Sequence, residues 1–279
     1  YLDGIGKSML NELINNKVDF NKIEKIYHDK LIENLKMYLF IGGMPEVIKQ
    51  YIQNGDLNKV RKIQKEILQG YEEDFTKHAS KPDAMKIINI WNTIPKQLAK
   101  ENKKFAFSEL NKNARLRDYN EAIQWLISAG YIYKSYRIKI PNFPLKGYVE
   151  ENIFKLFLLD VGLLGAMLDL TQKMIIEGSK LFLWYNGAFT ENFVAQELIE
   201  NGQSDLYYWA SKDTAEVDFI LSYEEEIFSI DVKAGYNTKA KSLKVYNEKY
   251  NPRFLSRASQ NNFNKSEKYC DYPLYAVSL

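Results

Sequence analysis

Glu191, Asp218, Asp231 and Lys233 are the residues of this 279-residue chain whose types and spacing could do chemistry. Asp218 lies in Ala215-Glu216-Val217-Asp218-Phe219-Ile220-Leu221; Asp231 and Lys233 lie in Ile227-Phe228-Ser229-Ile230-Asp231-Val232-Lys233. Both runs alternate with the two-residue period of a strand that buries one face. In the second run Phe228, Ile230 and Val232 fall on the buried face, and Ser229, Asp231 and Lys233 on the open one. Ser222-Tyr223-Glu224-Glu225-Glu226 is short enough to close the runs into a hairpin. Two acids and an amine would then share one sheet face, which is how a metal-dependent phosphodiesterase holds its ion.

Glu191 precedes these strands on a helix expected over 187–201, from which it can project over the sheet. Carboxylates gathered this closely repel, by roughly 4 kcal/mol for a pair at about 4 Å and an effective dielectric near 20. They stay ionised together only with a cation, and the oxygen ligands Asp218, Asp231 and Glu191 favour Mg²⁺ or Mn²⁺. Such an ion polarises a phosphate and acidifies a bound water. Lys233 would orient that water or neutralise the pentavalent phosphate. Asp-x-Lys alone is a weak motif, and the same pair on a strand face is also an ordinary solvated pair.

Three stretches must position these groups. Residues 1–80 read as helices, with apolar residues at helical spacing from Met9 to Tyr71 and a break at Gly42-Gly43-Met44-Pro45. Their apolar faces need a partner surface, expected in a domain that precedes the chain. Residues 81–170 read as a helix to Lys100 kinked or split at Pro95, a short helix from Ser108, a helix opened by Asp118, and two strands near 131–137 and 153–159. Helix, helix, helix, hairpin is winged-helix order. Residues 175–279 read as α-β-β-β-α-β plus a final strand near 273–278. The fold class expected is therefore α+β to α/β.

Composition excludes several classes. Net charge is only +2, so local clustering must carry any case for nucleic acid. One cysteine and two distant histidines exclude a disulfide framework and argue against a zinc cluster, in keeping with a cytoplasmic location. No run approaches the 18 to 20 or so apolar residues of a membrane span, so no membrane partner is expected. Gly4-Ile5-Gly6-Lys7-Ser8 ends like a phosphate-binding loop, but the earlier glycine would fall on Tyr1. Basic residues do cluster: between Asp231 and Tyr269 nine Lys or Arg, among them Lys239, Lys241, Lys244 and Arg257, face three acids. These suit a phosphate backbone, as do Arg115 and Arg117 ahead of the helix carrying Trp125, although Asp118 and Glu121 oppose it there.

On these residues the last third resembles the PD-(D/E)xK nuclease superfamily, whose core runs α-β-β-β-α-β. Glu191, Asp218, Asp231 and Lys233 match its helix acid, second-strand acid and third-strand acid-x-Lys, with Asp231 where Glu is commoner. Phe40-Ile41-Gly42-Gly43-Met44-Pro45-Glu46-Val47, the run from Phe154 to Leu164, and Glu191-Asn192-Phe193-Val194-Ala195-Gln196-Glu197-Leu198 resemble signatures of a bacterial and archaeal family. So do Ala215 to Phe219, and Lys241-Ser242-Leu243 through Arg257 and Ser259. In that family an AAA-type ATPase domain precedes a module of unassigned function. The resemblance implies a DNA-interacting, nuclease-like module, with ATP bound only by the preceding domain. The competing expectation is an inactive nucleic-acid- or protein-binding regulator of that ATPase. A third is that residues 1–80 form a lid for the ATPase, which predicts self-association of the chain by itself.

Overall fold

The computed structural model describes residues 1–16, 20–176, 180–211, 215–237, 239 and 241–277. Its N-terminal part is helical, as the periodicity requires: α1 (Ser8–Asn15), α2 (Lys25–Ile41), α3 (Pro45–Asn54) and α4 (Leu57–His78). α2 ends at Gly42, whose φ of 78° suits glycine. Pro45 opens α3, where an absent N–H loses no helical bond. Asp56 caps α4 by accepting from the Asn58 N–H at 2.9 Å.

α5 (Lys81–Leu98) runs through Pro95 as one helix and is not split there. α6 (Leu116–Ser128) starts two residues before Asp118, which sits inside its first turn and accepts from the Arg115 N–H at 3.0 Å. Then come β1 (Ile132–Ile138), β2 (Val149–Leu158), α7 (Val161–Met167), α8 (Gln172–Ile176) and α9 (Lys180–Glu200). The chain closes with β3 (Leu206–Ala210), β4 (Glu216–Tyr223), β5 (Glu226–Val232), α10 (Lys241–Tyr250), β6 (Leu255–Ser259), β7 (Asn264–Lys265) and β8 (Tyr269–Pro273). The last ladder strand therefore lies earlier than 273–278. Pro273 ends it, and residues 274–276 form a 3₁₀ turn.

One mixed sheet carries the eight strands in the order β2-β1-β3-β4-β5-β6-β8-β7. β1 and β2 pair antiparallel as the expected hairpin. The other edge of β1 pairs in parallel with β3, Ser135 against Leu206. The sheet thus continues across the boundary that the sequence reading placed at residues 170–175. The N-terminal helices find their partner within the chain: Leu35, Tyr38, Phe40 and Val60 share a core with Leu164 of α7 and Phe189, Phe193 and Val194 of α9.

The one-sided burial expected of β5 is overturned. Leu206 and Phe219 join the core beneath α9, whereas Tyr207, Trp209, Val217 and Ile220 pack with Leu243 and Tyr246 of α10. With a helix on either face, a central strand has no solvent side. Ser229 and Asp231 are accordingly buried, while Phe228 and Ile230 are only half-buried.

Asp160 joins the helical part to the sheet. Its carboxylate accepts from the Leu163 N–H (2.8 Å), capping α7, and from the Gly43 N–H (2.6 Å). A Cβ on Gly42 would collide with that carboxylate, and one on Gly162 would lie 2.5 Å from the Ile41 carbonyl oxygen. Gln196 of α9 accepts from the Val161 N–H (3.3 Å) and donates to the Tyr38 hydroxyl (2.8 Å). Asn192 both accepts from and donates to the main chain of Leu158, at 2.8 and 3.0 Å.

Burial pushes the Asp160 carboxyl up from 3.8 to about 6, although the N–H groups of Gly43, Leu163 and Gly162 favour its charged form. A folded pKa above the unfolded one stabilises most at low pH, and that contribution is lost as pH rises to about 6. The gap of about two pH units is worth roughly 3 kcal/mol. Urea unfolding of wild type and Asp160→Asn between pH 4 and pH 7 should show wild type losing about that much relative to the variant. A constant difference would refute the assignment.

Candidate functional site

A β-bulge places the first of the sequence-marked acids. Trp209 pairs with Val217 and Tyr207 with Ile220, so Tyr208 alone stands opposite both Asp218 and Phe219. The extra residue breaks the alternation and re-aims the side chains around it. Pairing between β4 and β5 ends at Phe219–Ile230, and beyond that point the strands part. The Asp218 carboxylate, in place of a main-chain carbonyl, accepts from the Val232 N–H at 2.7 Å. Across this fork Asp231 pairs with Arg257 of β6 in the ladder.

Three lysines occupy the cluster. Lys155 of β2, with a side chain 0% exposed, places its ammonium 3.3 Å from Glu191, 2.6 Å from Glu216 and 3.8 Å from Asp218. It also lies 4.8 Å above the ring of Tyr208. Lys103, from the connection after α5, pairs with the other oxygen of Glu191. Lys233 approaches both oxygens of Asp231, at 3.0 and 2.9 Å. Among the described residues four carboxylates thus meet three ammonium groups, leaving one carboxylate in excess.

The titration of these groups follows from that balance. Burial alone would raise the Glu191 carboxyl, but the charges of Lys103 and Lys155 outweigh it and hold the group below its ordinary value. Asp218 goes the other way: burial first, then the nearby charge of Glu191, push it well above the carboxylate range despite Lys155. The surplus negative charge thus biases Asp218 towards its protonated form. Burial also raises Asp231, and Lys233 offsets this only in part. Burial lowers both Lys155 and Lys233, yet the carboxylates around them more than restore their charged forms.

The donors have the oxygen chemistry that Mg²⁺ and Mn²⁺ prefer. Asp231 Oδ2 is buried and takes no aligned hydrogen bond. Even so, the residues do not fit a three-acid metal site. Both oxygens of Glu191 are held by lysines, and the Lys155 ammonium stands among Glu191, Glu216 and Asp218. Among the described residues no group of three or more His, Cys, Asp or Glu side chains is arranged to hold a metal ion.

Other marked residues lie in different settings. Lys239 is exposed, as are Lys241 and Lys244 on α10, and α10 begins beside the cluster, where the Glu216 N–H donates to Ser242 Oγ at 3.2 Å. Arg257 turns to β8 and forms a two-pronged pair with Asp271 at 2.5 and 2.9 Å. From there its charge also acts on Asp231 at the fork, favouring the ionised carboxylate. Arg115 and Arg117 are exposed at the start of α6, Arg117 lying 3.6 Å from Asp118. Lys7 of the phosphate-loop look-alike donates to Asn34 at 2.7 Å. A cleft of about 350 Å³ lies elsewhere, lined by Tyr38, Gly43, Phe193, Glu197 and Glu200, none of them in the acid cluster.

The sequence reading missed Lys103, Lys155 and Glu216. Glu216 carries a signal, since it lies two residues before Asp218 on the same strand. Lys155 carries another, being the one charge in Phe154-Lys155-Leu156-Phe157-Leu158-Leu159. Lys103 sits in a polar connection and has none.

A profile described as a domain of unknown function (DUF8612) matches residues 32–174, and one described as a domain of unknown function (DUF4143) matches residues 186–276. The second is often found C-terminal to AAA-type ATPases. No curated protein and no solved structure matches the chain. Among the described residues no helix is long and apolar enough to cross a membrane.

The opposite shifts of Glu191 and Asp218 set up a contrast. Glu191→Gln removes a charge that buried Lys155 and half-buried Lys103 depend on and should cost roughly 3 kcal/mol at pH 7. Asp218→Asn replaces a carboxyl already biased to its neutral form and should cost less than about 1 kcal/mol. Chemical denaturation of the two variants reads the difference; equal losses would contradict the charge assignment.

Proposed function

The chain belongs to the DUF8612 family, and for it we propose a DNA-contacting module that regulates an AAA-type ATPase without cutting the DNA. Two stretches support the domain assignment. α5, a 3₁₀ turn, α6 and the β1–β2 hairpin follow winged-helix order, and α9-β3-β4-β5-α10-β6 follows the order of a PD-(D/E)xK nuclease core. ATP would be bound by the ATPase domain, not by this module.

One observation carries the choice of binding over cutting. Glu191, the helix acid of the implied nuclease site, has both carboxylate oxygens committed to lysines of the same chain. A nuclease-like surface neutralised from within keeps its affinity for a phosphodiester backbone through the cations around it. Lys239, Lys241 and Lys244 are exposed beside the cluster and supply that sequence-independent attraction, with Arg115 and Arg117 as a second basic group.

A second reading has one observation in its favour. The unaligned Oδ2 of Asp231, next to Asp218 in the fork, favours Mg²⁺- or Mn²⁺-dependent hydrolysis with Glu191, Asp218, Asp231 and Lys233 as the active group. The third expectation, a lid that self-associates, loses part of its motive because Leu35, Tyr38, Phe40 and Val60 are buried within the chain, while Met9, Ile26 and Ile52 stay exposed.

Gel-shift and cleavage assays with single- and double-stranded DNA, in Mg²⁺ or Mn²⁺, separate the readings. Retention without cleavage is expected. Combined Lys239→Ala and Lys241→Ala should weaken binding to every sequence and flatten the log–log salt dependence by about 0.9 for each phosphate no longer neutralised. Cleavage abolished by Asp218→Ala would establish the second reading; no retention of any DNA would defeat both.

A further inference from the structure

We infer that Lys155 stands where a nuclease of this architecture would place its divalent ion, so that the wild-type cluster takes up neither Mg²⁺ nor Mn²⁺. The acids that would ligate an ion in its place, Glu191, Glu216 and Asp218, surround that ammonium, with Asp231 across the fork. The inference rests on the binding-only reading above and deepens it by naming the residue that closes the site.

Three features assign this role to Lys155. Its ammonium is shared by Glu191 (3.3 Å), Glu216 (2.6 Å) and Asp218 (3.8 Å), and so occupies the region in which an ion bridging those acids would sit. The side chain is 0% exposed and comes from β2, on the far side of β1 and β3 from the acids of β4, so the sheet itself holds it in place. Lys103 takes the remaining oxygen of Glu191, and the two ammonium groups together bring the charge of one divalent ion.

The substitution has a physical consequence for ligands. Mg²⁺ requires oxygens near 2.0–2.1 Å, and the space that would allow this is filled by nitrogen. A dication entering beside Lys155 would also meet a like charge that no solvent screens. Glu216, two residues before Asp218, becomes a ligand of the latent site only when the ammonium that now binds it at 2.6 Å is gone.

Titration of the whole chain with Mn²⁺ at neutral pH, followed by calorimetry and by the paramagnetic signal of the free ion, tests the inference. Wild type and Lys155→Arg should show no saturable uptake. Lys155→Met, which keeps an unbranched side chain one atom shorter and removes its charge, should bind one Mn²⁺ more than about tenfold tighter than wild type. Adding Asp218→Asn to Lys155→Met should abolish the gain. Saturable Mn²⁺ uptake by wild type that disappears in Asp218→Asn overturns the inference, and so does a folded Lys155→Met with no greater affinity than wild type. Should Lys155→Met not fold, the wild-type and Asp218→Asn titrations decide the question. DNA retention measured on wild type without added metal is a separate readout: its failure defeats the proposed function and leaves the assignment of Lys155 standing.

Discussion

An ammonium group shut away from water must be ringed by negative charge, and Lys155 imposes that requirement on the rest of the sheet. Its acids come from α9 and β4, while the lysine itself comes from β2. Leaving such a charge unpaired in the interior costs several kcal/mol. The hairpin of the middle region and the strands of the last third therefore stabilise each other, and the continuous sheet through β1 and β3 follows the same logic. The mutual repulsion of the acids is real. The cations that relieve it are Lys103, Lys155 and Lys233, supplied by the chain.

Asp160 presents the mirror image, a buried acid with main-chain N–H groups around it in place of a lysine. Those of Gly43 and Leu163 come from the break after α2 and the first turn of α7. Three of the signature segments meet at this point: Phe40 to Val47, Phe154 to Leu164, and Glu191 to Leu198. Their glycines let backbones approach where a Cβ would collide, and Asn192 and Gln196 bond strand ends to α9. Much of these segments thus joins helices to a sheet, and only Lys155 and Glu191 within them belong to the acid cluster.

Local features were readable because their causes are local. The break at Gly42 to Pro45, the hairpin of β1 and β2, and the succession from α9 to β6 all follow from neighbours in the chain. The reading of β5 failed for a nonlocal reason: α10, about ten residues further on, covers the face that alternation left to solvent. The setting of Arg257 was illegible in the same way, since its partner Asp271 lies on the adjacent strand and had no place in a local pattern.

The amino-acid order by itself determined the helical periods and the hairpin that brings Asp218 and Asp231 into one fork. Only the tertiary structure decided what stands among those acids. Lys155 is 36 residues from Glu191 and 61 from Glu216, and charge pairing depends on distance in space, to which distance along the chain is no guide. The bulge opposite Tyr208 is likewise a property of two strands in register, which neither strand encodes alone.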